Sequence, residues 1–291
     1  MITTIEDCFF TSAEKPKKNC QDYALSGHDP IPYLIICDGC SSSRYTDIGA
    51  RIIAHKTKAV ISEIFSKEFP DVRLSSFSEC DDFYEYIGKS IIFQSKQATS
   101  GIIQECLDST LIIAFVYDNY VYVFMYGDGF IIYNHKIDGL NLISTEFEGN
   151  APFYLSYLSN INLLDSYKDF AFKYPEMKTL TINYFQMDLD PNKKKDIKCK
   201  FNHPIIQKIP IKDLSLLMIA SDGIASFTDH KNESIDLQQL IRDITSIKSK
   251  SGEFIQRKML NKILPQLTAE NILNYDDVSI GAFLFDEEAN G

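Results

Sequence analysis

The chain is short of basic residues: 29 Lys and Arg stand against 40 Asp and Glu, a formal charge of −11. That shortage argues against nucleic acid as the main partner, because binding a phosphate backbone needs a basic face. A long apolar run is also missing. The longest, Leu111 to Met125, is cut by Asp118-Asn119 and falls short of the roughly 18 residues that read as a membrane span. The opening stretch, Met1-Ile-Thr-Thr-Ile-Glu-Asp7, has neither a basic segment nor an apolar one of the kind a secretory leader carries. The seven cysteines are odd in number and scattered, so they cannot all pair, and several lie in apolar runs where a reduced thiol is a small hydrophobe. These absences lead to the expectation of a soluble, cytoplasmic protein with no membrane and no nucleic acid among its partners.

Familiar catalytic signatures are missing too. There is no Gly-x-x-x-x-Gly-Lys-Ser/Thr run, no Gly-x-Ser-x-Gly elbow and no His-Glu-x-x-His among the five histidines. Cys37-x-x-Cys40 has metal-ligand spacing, but no second Cys or His pair stands at zinc distance. What the chain does have is an ordinary globular composition, 45% hydrophobic and 24% charged over 291 residues. With no linker separating two complete cores, residues 1–291 are expected to form a single domain.

The pattern along the chain changes period. Tyr33–Cys37 reads as a buried strand, bounded by Pro32 and an Asp-Gly. Helices are predicted over Asp47–Phe69 and Asp81–Cys106, the second opened by an Asp pair that suits the positive end of a helix dipole. Leu111–Tyr117 and Tyr120–Tyr126, joined by Asp118-Asn119, predict a hairpin. Phe130–Tyr133 and Leu140–Ile143 extend it into an antiparallel meander. Later strands are expected at Thr179–Phe185, Leu214–Ala220 and Val278–Phe285, and helices at Ser234–Ser249 and from about Glu253 to Glu270. Asp188–Pro204, with its Lys193-Lys194-Lys195 run, reads as a solvated loop. Helices in pairs and strands in runs define the α+β class.

Asp-Gly occurs four times. It is a common turn dipeptide, and Asp138-Gly139 is explained that way. Asp38-Gly39, Asp128-Gly129 and Asp222-Gly223 each end an apolar strand, where a fold can bring distant side chains to one spot. Asp22 and Asp276-Asp277 flank further strands. If these carboxylates meet, a cation is required, since two like charges about 4 Å apart repel by about 4 kcal/mol at an effective dielectric of about 20. Few carboxylates with open positions suit Mg²⁺ or Mn²⁺. Such ions in pairs, about 3.5–4 Å apart, activate water and clamp a phosphoryl group.

Six motifs in order carry a family resemblance: Asn19-Cys-Gln-Asp-Tyr23, the run from Ile36-Cys-Asp-Gly-Cys40 to Arg51, Ser109-Thr-Leu111, Tyr126-Gly-Asp-Gly129, Ala220-Ser-Asp-Gly-Ile224 and Asp276-Asp-Val-Ser279. From about residue 5 to 286 the chain resembles the metal-dependent serine/threonine protein phosphatases of type 2C, within them a bacterial branch. The resemblance implies a four-layer αββα sandwich, two antiparallel β-sheets flanked by helix pairs. It implies hydrolysis of phosphoserine and phosphothreonine by a water activated between two Mn²⁺ or Mg²⁺ ions, with no covalent enzyme intermediate. Asp22, Asp38, Asp222 and Asp276 would be the catalytic carboxylates. As metal ligands the resemblance gives Asp38, the Gly39 carbonyl, Asp222 and Asp276, with Asp22 orienting water on the metal. Asp277 stands where the family usually has Asn and is not expected to be a ligand. Asp128 lies where relatives place an optional third metal. Lys17 and Lys18 are the phosphate-binding candidates.

Four positions depart from the family pattern. Gln21 replaces a common Glu, and Cys40 a His proposed as general acid. Ser226 replaces an Asp of the third-metal site, and Lys17 or Lys18 replaces an Arg. These substitutions motivate the alternative of a catalytically weak phosphatase-like regulatory or binding module. The implied partners are a phosphorylated protein substrate and an opposing Ser/Thr kinase, with the chain acting as a monomer.

Overall fold

The computed structural model describes residues 2–13, 19–66, 77–100, 103–173, 180–188, 194–247 and 253–285. Its strands are β1 (Ile2–Phe10), β2 (Asp22–Gly27), β3 (Tyr33–Gly39), β4 (Ser109–Tyr117), β5 (Tyr120–Tyr126), β6 (Gly129–His135) and β7 (Gly139–Phe147). They continue with β8 (Leu180–Gln186), β9 (Lys194–Cys199), β10 (Ile205–Pro210), β11 (Leu214–Ala220), β12 (Phe227–Thr228), β13 (Leu273–Asn274) and β14 (Val278–Phe285). The helices are α1 (Thr46–Phe65), α2 (Phe77–Ala98), α3 (Ile161–Lys173), α4 (Leu237–Thr245), α5 (Phe254–Lys258) and α6 (Leu264–Ala269). A π-helical turn, Met259–Ile263, joins the last two.

One sheet runs β1-β14-β11-β6-β7-β8-β9 and the other β10-β5-β4-β3-β2, every pairing antiparallel. Strand parity divides the apolar side chains among three cores. In β3, Leu34 and Ile36 point between the sheets, where they meet Ile131, Leu217, Ile219 and Phe283 of the larger sheet. Tyr33, Ile35 and Cys37 point the other way, under Ile53 and Ile61 of α1 and Ile87 and Ile91 of α2. On the outer face of the larger sheet, Met218 and Ala282 lie under Leu240 and Ile241 of α4 and Ile255 of α5. The four-layer αββα sandwich follows from these three cores. It also explains why β3 reads as an unbroken apolar run: both of its faces are buried. Among the described residues no helix is long and apolar enough to cross a membrane.

Local chemistry sets several boundaries. Asp236 caps α4, its carboxylate accepting from the backbone N–H of Gln238 and Gln239 at 2.9 and 3.2 Å, so the helix begins at Leu237 and not at Ser234. Glu6 on β1 reaches across to accept from the N–H groups of Phe254 and Ile255, capping the last helical segment. Asp118 and Asn119 both take positive φ, 47° and 64°, the geometry that closes a two-residue hairpin.

Three expectations are corrected. The helix over Asp81–Cys106 starts earlier, at Phe77, and ends at Ala98, so the Asp pair lies inside it and Cys106 falls in a separate 3-10 turn. The meander is in fact two hairpins in different sheets: β4 and β5 belong to the smaller, β6 and β7 to the larger. The chain crosses between them at Gly127-Asp128-Gly129, where the two glycines hold φ of 98° and 137°. The expected loop at 188–204 contains edge strand β9, with Lys194 and Lys195 in it; Lys193 lies outside the described residues. The end of the helix expected to reach Phe69 also falls outside them.

Candidate active site

Asp22 and Asp38 are directly opposed in the β2–β3 register. Ala24 faces the inter-sheet core and so do Leu34 and Ile36. Asp22 and Asp38 continue those alternations, so both carboxylates project from the end of the apolar layer between the sheets. Opposite them, Leu217 and Ile219 of β11 point into the same layer, and the chain turns at Ser221 into a 3-10 segment that begins with Asp222. Ser279, on the matching face of β14, donates its hydroxyl to Asp22 Oδ2 at 2.7 Å, a contact between residues 257 positions apart.

The turn before β14 supplies the next carboxylate. A Cβ at Gly223 would stand 1.8 Å from the carbonyl oxygen of Asp277, so only glycine lets the two turns lie this close. The neighbours Asp276 and Asp277 then diverge. Asp277 spends both oxygens on backbone, accepting from Ser12 N–H and Gln21 N–H at 2.7 Å each. Asp276 is exposed and faces the cleft, its N–H donated to Ser226 Oγ at 3.1 Å. Asp128, on the crossover between sheets, is buried and lines the same cleft.

Asp128, Asp222 and Asp276 border a cavity of about 730 Å³ whose further walls include Ser144, Glu146, Phe147 and the start of α4. Asp38 lies close enough to both Asp22 and Asp222 to feel their charges. Burial, then the charges of Asp22 and Asp222, push its carboxyl well above the usual carboxylate range. Burial also carries Asp22 up to about 7, opposed by hydrogen bonds from Ser221 and Ser279 and reinforced by the charge of Asp222. Asp128 rises to about 7 through burial and the charges of Asp222 and Asp276. Burial and mutual repulsion thus both oppose ionisation of Asp22, Asp38 and Asp128. Among the described residues, no group of three or more His, Cys, Asp or Glu side chains is arranged to hold a metal ion. Two oxygens nevertheless mark what the cluster accepts. Asp22 Oδ1 and Asp222 Oδ1 are buried without any hydrogen-bond partner. Unpaired buried carboxylate oxygens in a run of like charges fit a hard divalent cation.

The departures from the family pattern have places as well. Gln21 turns its amide nitrogen toward Thr46 Oγ1 at 2.6 Å and the Cys40 carbonyl at 3.3 Å, bracing the loop after Asp38. Cys40 Sγ lies 3.1 Å from Ser42 Oγ. Burial works to raise its thiol, but hydrogen bonds from Ser42, Tyr154 and Ser43 more than offset this and leave it below the ordinary value. Tyr154 and Asp108 were not singled out in the sequence. Tyr154 is buried beside Cys40 and feels the charges of Asp128 and Asp38. Asp108 accepts from Ser43 Oγ at 2.9 Å and Ser156 Oγ at 2.6 Å, tying the loop after Asp38 to the Leu155–Ser159 turn. Asp108 immediately precedes the Ser109-Thr-Leu111 motif, which was the available signal; nothing in the sequence around Tyr154 marks it. Lys17 and Lys18 lie outside the described residues.

The chain is thus a sandwich of two antiparallel sheets with an acidic cleft at the edge of its central layer. A family model, protein phosphatase 2C, matches residues 11–265, and the chain belongs to that family. Solved structures agree on the fold. The serine/threonine phosphatase Stp1 of Staphylococcus aureus is similar at 14% identity, with 98% of this chain and 97% of that one covered and a TM-score of 0.53. The serine-threonine phosphatase 2C of Toxoplasma gondii is similar at 11% identity, with 98% and 97% covered and a TM-score of 0.52. The serine/threonine phosphatase PstP/Ppp of Mycobacterium tuberculosis is similar at 12%, with 98% and 100% covered and a TM-score of 0.50. By sequence alone no curated protein matches the chain.

Proposed function

We propose that the chain is a cytoplasmic, Mn²⁺- or Mg²⁺-dependent phosphatase of phosphoserine and phosphothreonine in proteins, acting as a monomeric single domain opposite a Ser/Thr kinase. The observation that carries this reading is that Asp128, Asp222 and Asp276 line one cleft while Asp22 and Asp38 lie buried close to Asp222, with Asp22 Oδ1 and Asp222 Oδ1 buried and unpaired. Two divalent ions, when bound, lower the pKa of a water and neutralise phosphoryl charge.

Asp38, close to Asp22 and Asp222, would serve both ions, with the Gly39 carbonyl beside it. Asp222 and Asp276 would hold the second ion. Asp22, held by Ser279, would orient water, and Asp128 would serve the optional third position. Lys17 and Lys18 neutralise the incoming phosphate. Ser12 and Gln21, on either side of these lysines in sequence, both donate backbone N–H to Asp277.

Phosphate release from a phosphothreonine peptide tests this. Mn²⁺ is expected to stimulate it, and Asp38→Asn or Asp222→Ala to reduce it by at least about a hundredfold, the scale of losing a principal electrostatic element. Mn²⁺ binding without any turnover would favour the regulatory-module reading instead, and no Mn²⁺ binding by calorimetry would overturn the site.

A further inference from the structure

Beside the acidic cleft lies a second cavity of about 270 Å³, between the start of α2, the end of β5 and the turn that joins β9 to β10. Its lining is aromatic: Tyr84, Tyr126, Phe147, Phe153 and Phe201. The phenol groups are already spent. Tyr84 donates to the Met125 carbonyl at 2.7 Å and Tyr126 to the Tyr84 carbonyl at 2.6 Å, so the stacked rings, 4.1 Å apart, offer carbon surface. The rim on the α2 side is acidic, with Asp81, Asp82 and Glu85. Glu85 pairs with Lys89 at 2.5 Å. Asp81 and Asp82 are exposed and form no ion pair among the described residues. Across the mouth stand Leu158, 40% exposed, and His203.

The two cavities adjoin. Phe147 lines both, and Gly127 in the aromatic cavity immediately precedes Asp128 in the acidic one. An extended chain with its phosphorylated residue in the first can therefore place a neighbouring side chain in the second. That side chain needs an apolar stem to lie along aromatic rings and a cationic head to meet two carboxylates that have no ion pair among the described residues. We propose that the aromatic cavity is a docking site for an arginine or lysine side chain of the phosphoprotein substrate, near the phosphorylated residue in sequence. This rests on the phosphatase reading for its consequence in catalysis, but the binding step stands apart from it.

The test uses phosphothreonine peptides in which one Arg is walked along an otherwise neutral sequence. At one favoured spacing kcat/KM is expected to rise by about tenfold, the scale of a desolvated cation–aromatic contact. The double variant Asp81→Lys/Asp82→Lys is expected to lose that gain while handling the Arg-free peptide as the parent does. Leu158→Trp, which narrows the mouth, serves as a second variant and is expected to lose it too. Fluorescence polarisation with the matching unphosphorylated peptide reads docking in the absence of metal and turnover. Binding that persists without hydrolysis overturns the phosphatase reading and leaves the docking site standing. Equal rates at every Arg position, a gain that survives both variants, or the same gain with Leu in place of Arg would overturn the docking proposal.

Discussion

At the scale of single residues, Asp276 and Asp277 separate two jobs that look alike in a sequence. Asp277 satisfies two backbone N–H groups, while Asp276 faces the cleft. Asp277→Ala is therefore expected to destabilise the protein by about 1–3 kcal/mol, the cost of leaving part-buried donors unpaired, and to lower its melting temperature. Asp276→Ala should leave the melting temperature unchanged and weaken Mn²⁺ binding measured by calorimetry. The reverse pattern would contradict the assignment. That the six motifs contained both residues was plain from the sequence. Which of the two holds distant backbone and which faces the cleft depended on Ser12 and Gln21 arriving beside Asp277, and no local pattern encodes that.

At the scale of elements, strands buried on both faces were the most legible, because β3, β4, β11 and β14 carry apolar residues at every parity. Edge strand β9 was not, because its Lys194, Lys195 and Asp196 are exposed and match a loop in composition. The crossover at Gly127–Gly129 was hidden for a different reason: a hairpin and a change of sheet use the same turn residues. Close approach of elements also bears a prediction. Gly223→Ala would put a methyl group against the Asp277 carbonyl, so the 276–277 turn must move away from Asp222. The expected result is a loss of stability of about 1–3 kcal/mol, the usual scale of overpacking, together with weaker Mn²⁺ binding. A variant with parental melting and parental Mn²⁺ affinity would show that the approach of the two turns is not needed.

At the scale of the whole molecule, the charge of −11 is partly concentrated in one cleft. Asp22 and Asp128 have carboxyls raised by burial from 3.8 to about 7 in the folded chain. The folded state then binds more protons than the unfolded state between those values, so stability is greatest at the acid end and is lost as pH rises through about 7. Melting in a chelator should therefore show a temperature that falls from mildly acidic to mildly alkaline buffer. Saturating Mn²⁺ should remove or reverse the slope, because a cation favours the ionised carboxylates. A chelated protein whose melting temperature rises across that range would contradict the account.

By itself the sequence determined the family, the α+β class and the Asp-Gly positions at strand ends, because alternation, turn chemistry and motif order are local properties of a chain. Only the tertiary structure decided which carboxylates are buried near one another, which oxygens are left unpaired, and that an aromatic cavity adjoins the acidic one. Those outcomes depend on strand register and on the packing of one sheet against the other. Residues 257 positions apart, such as Asp22 on β2 and Ser279 on β14, meet because the two sheets pack face to face.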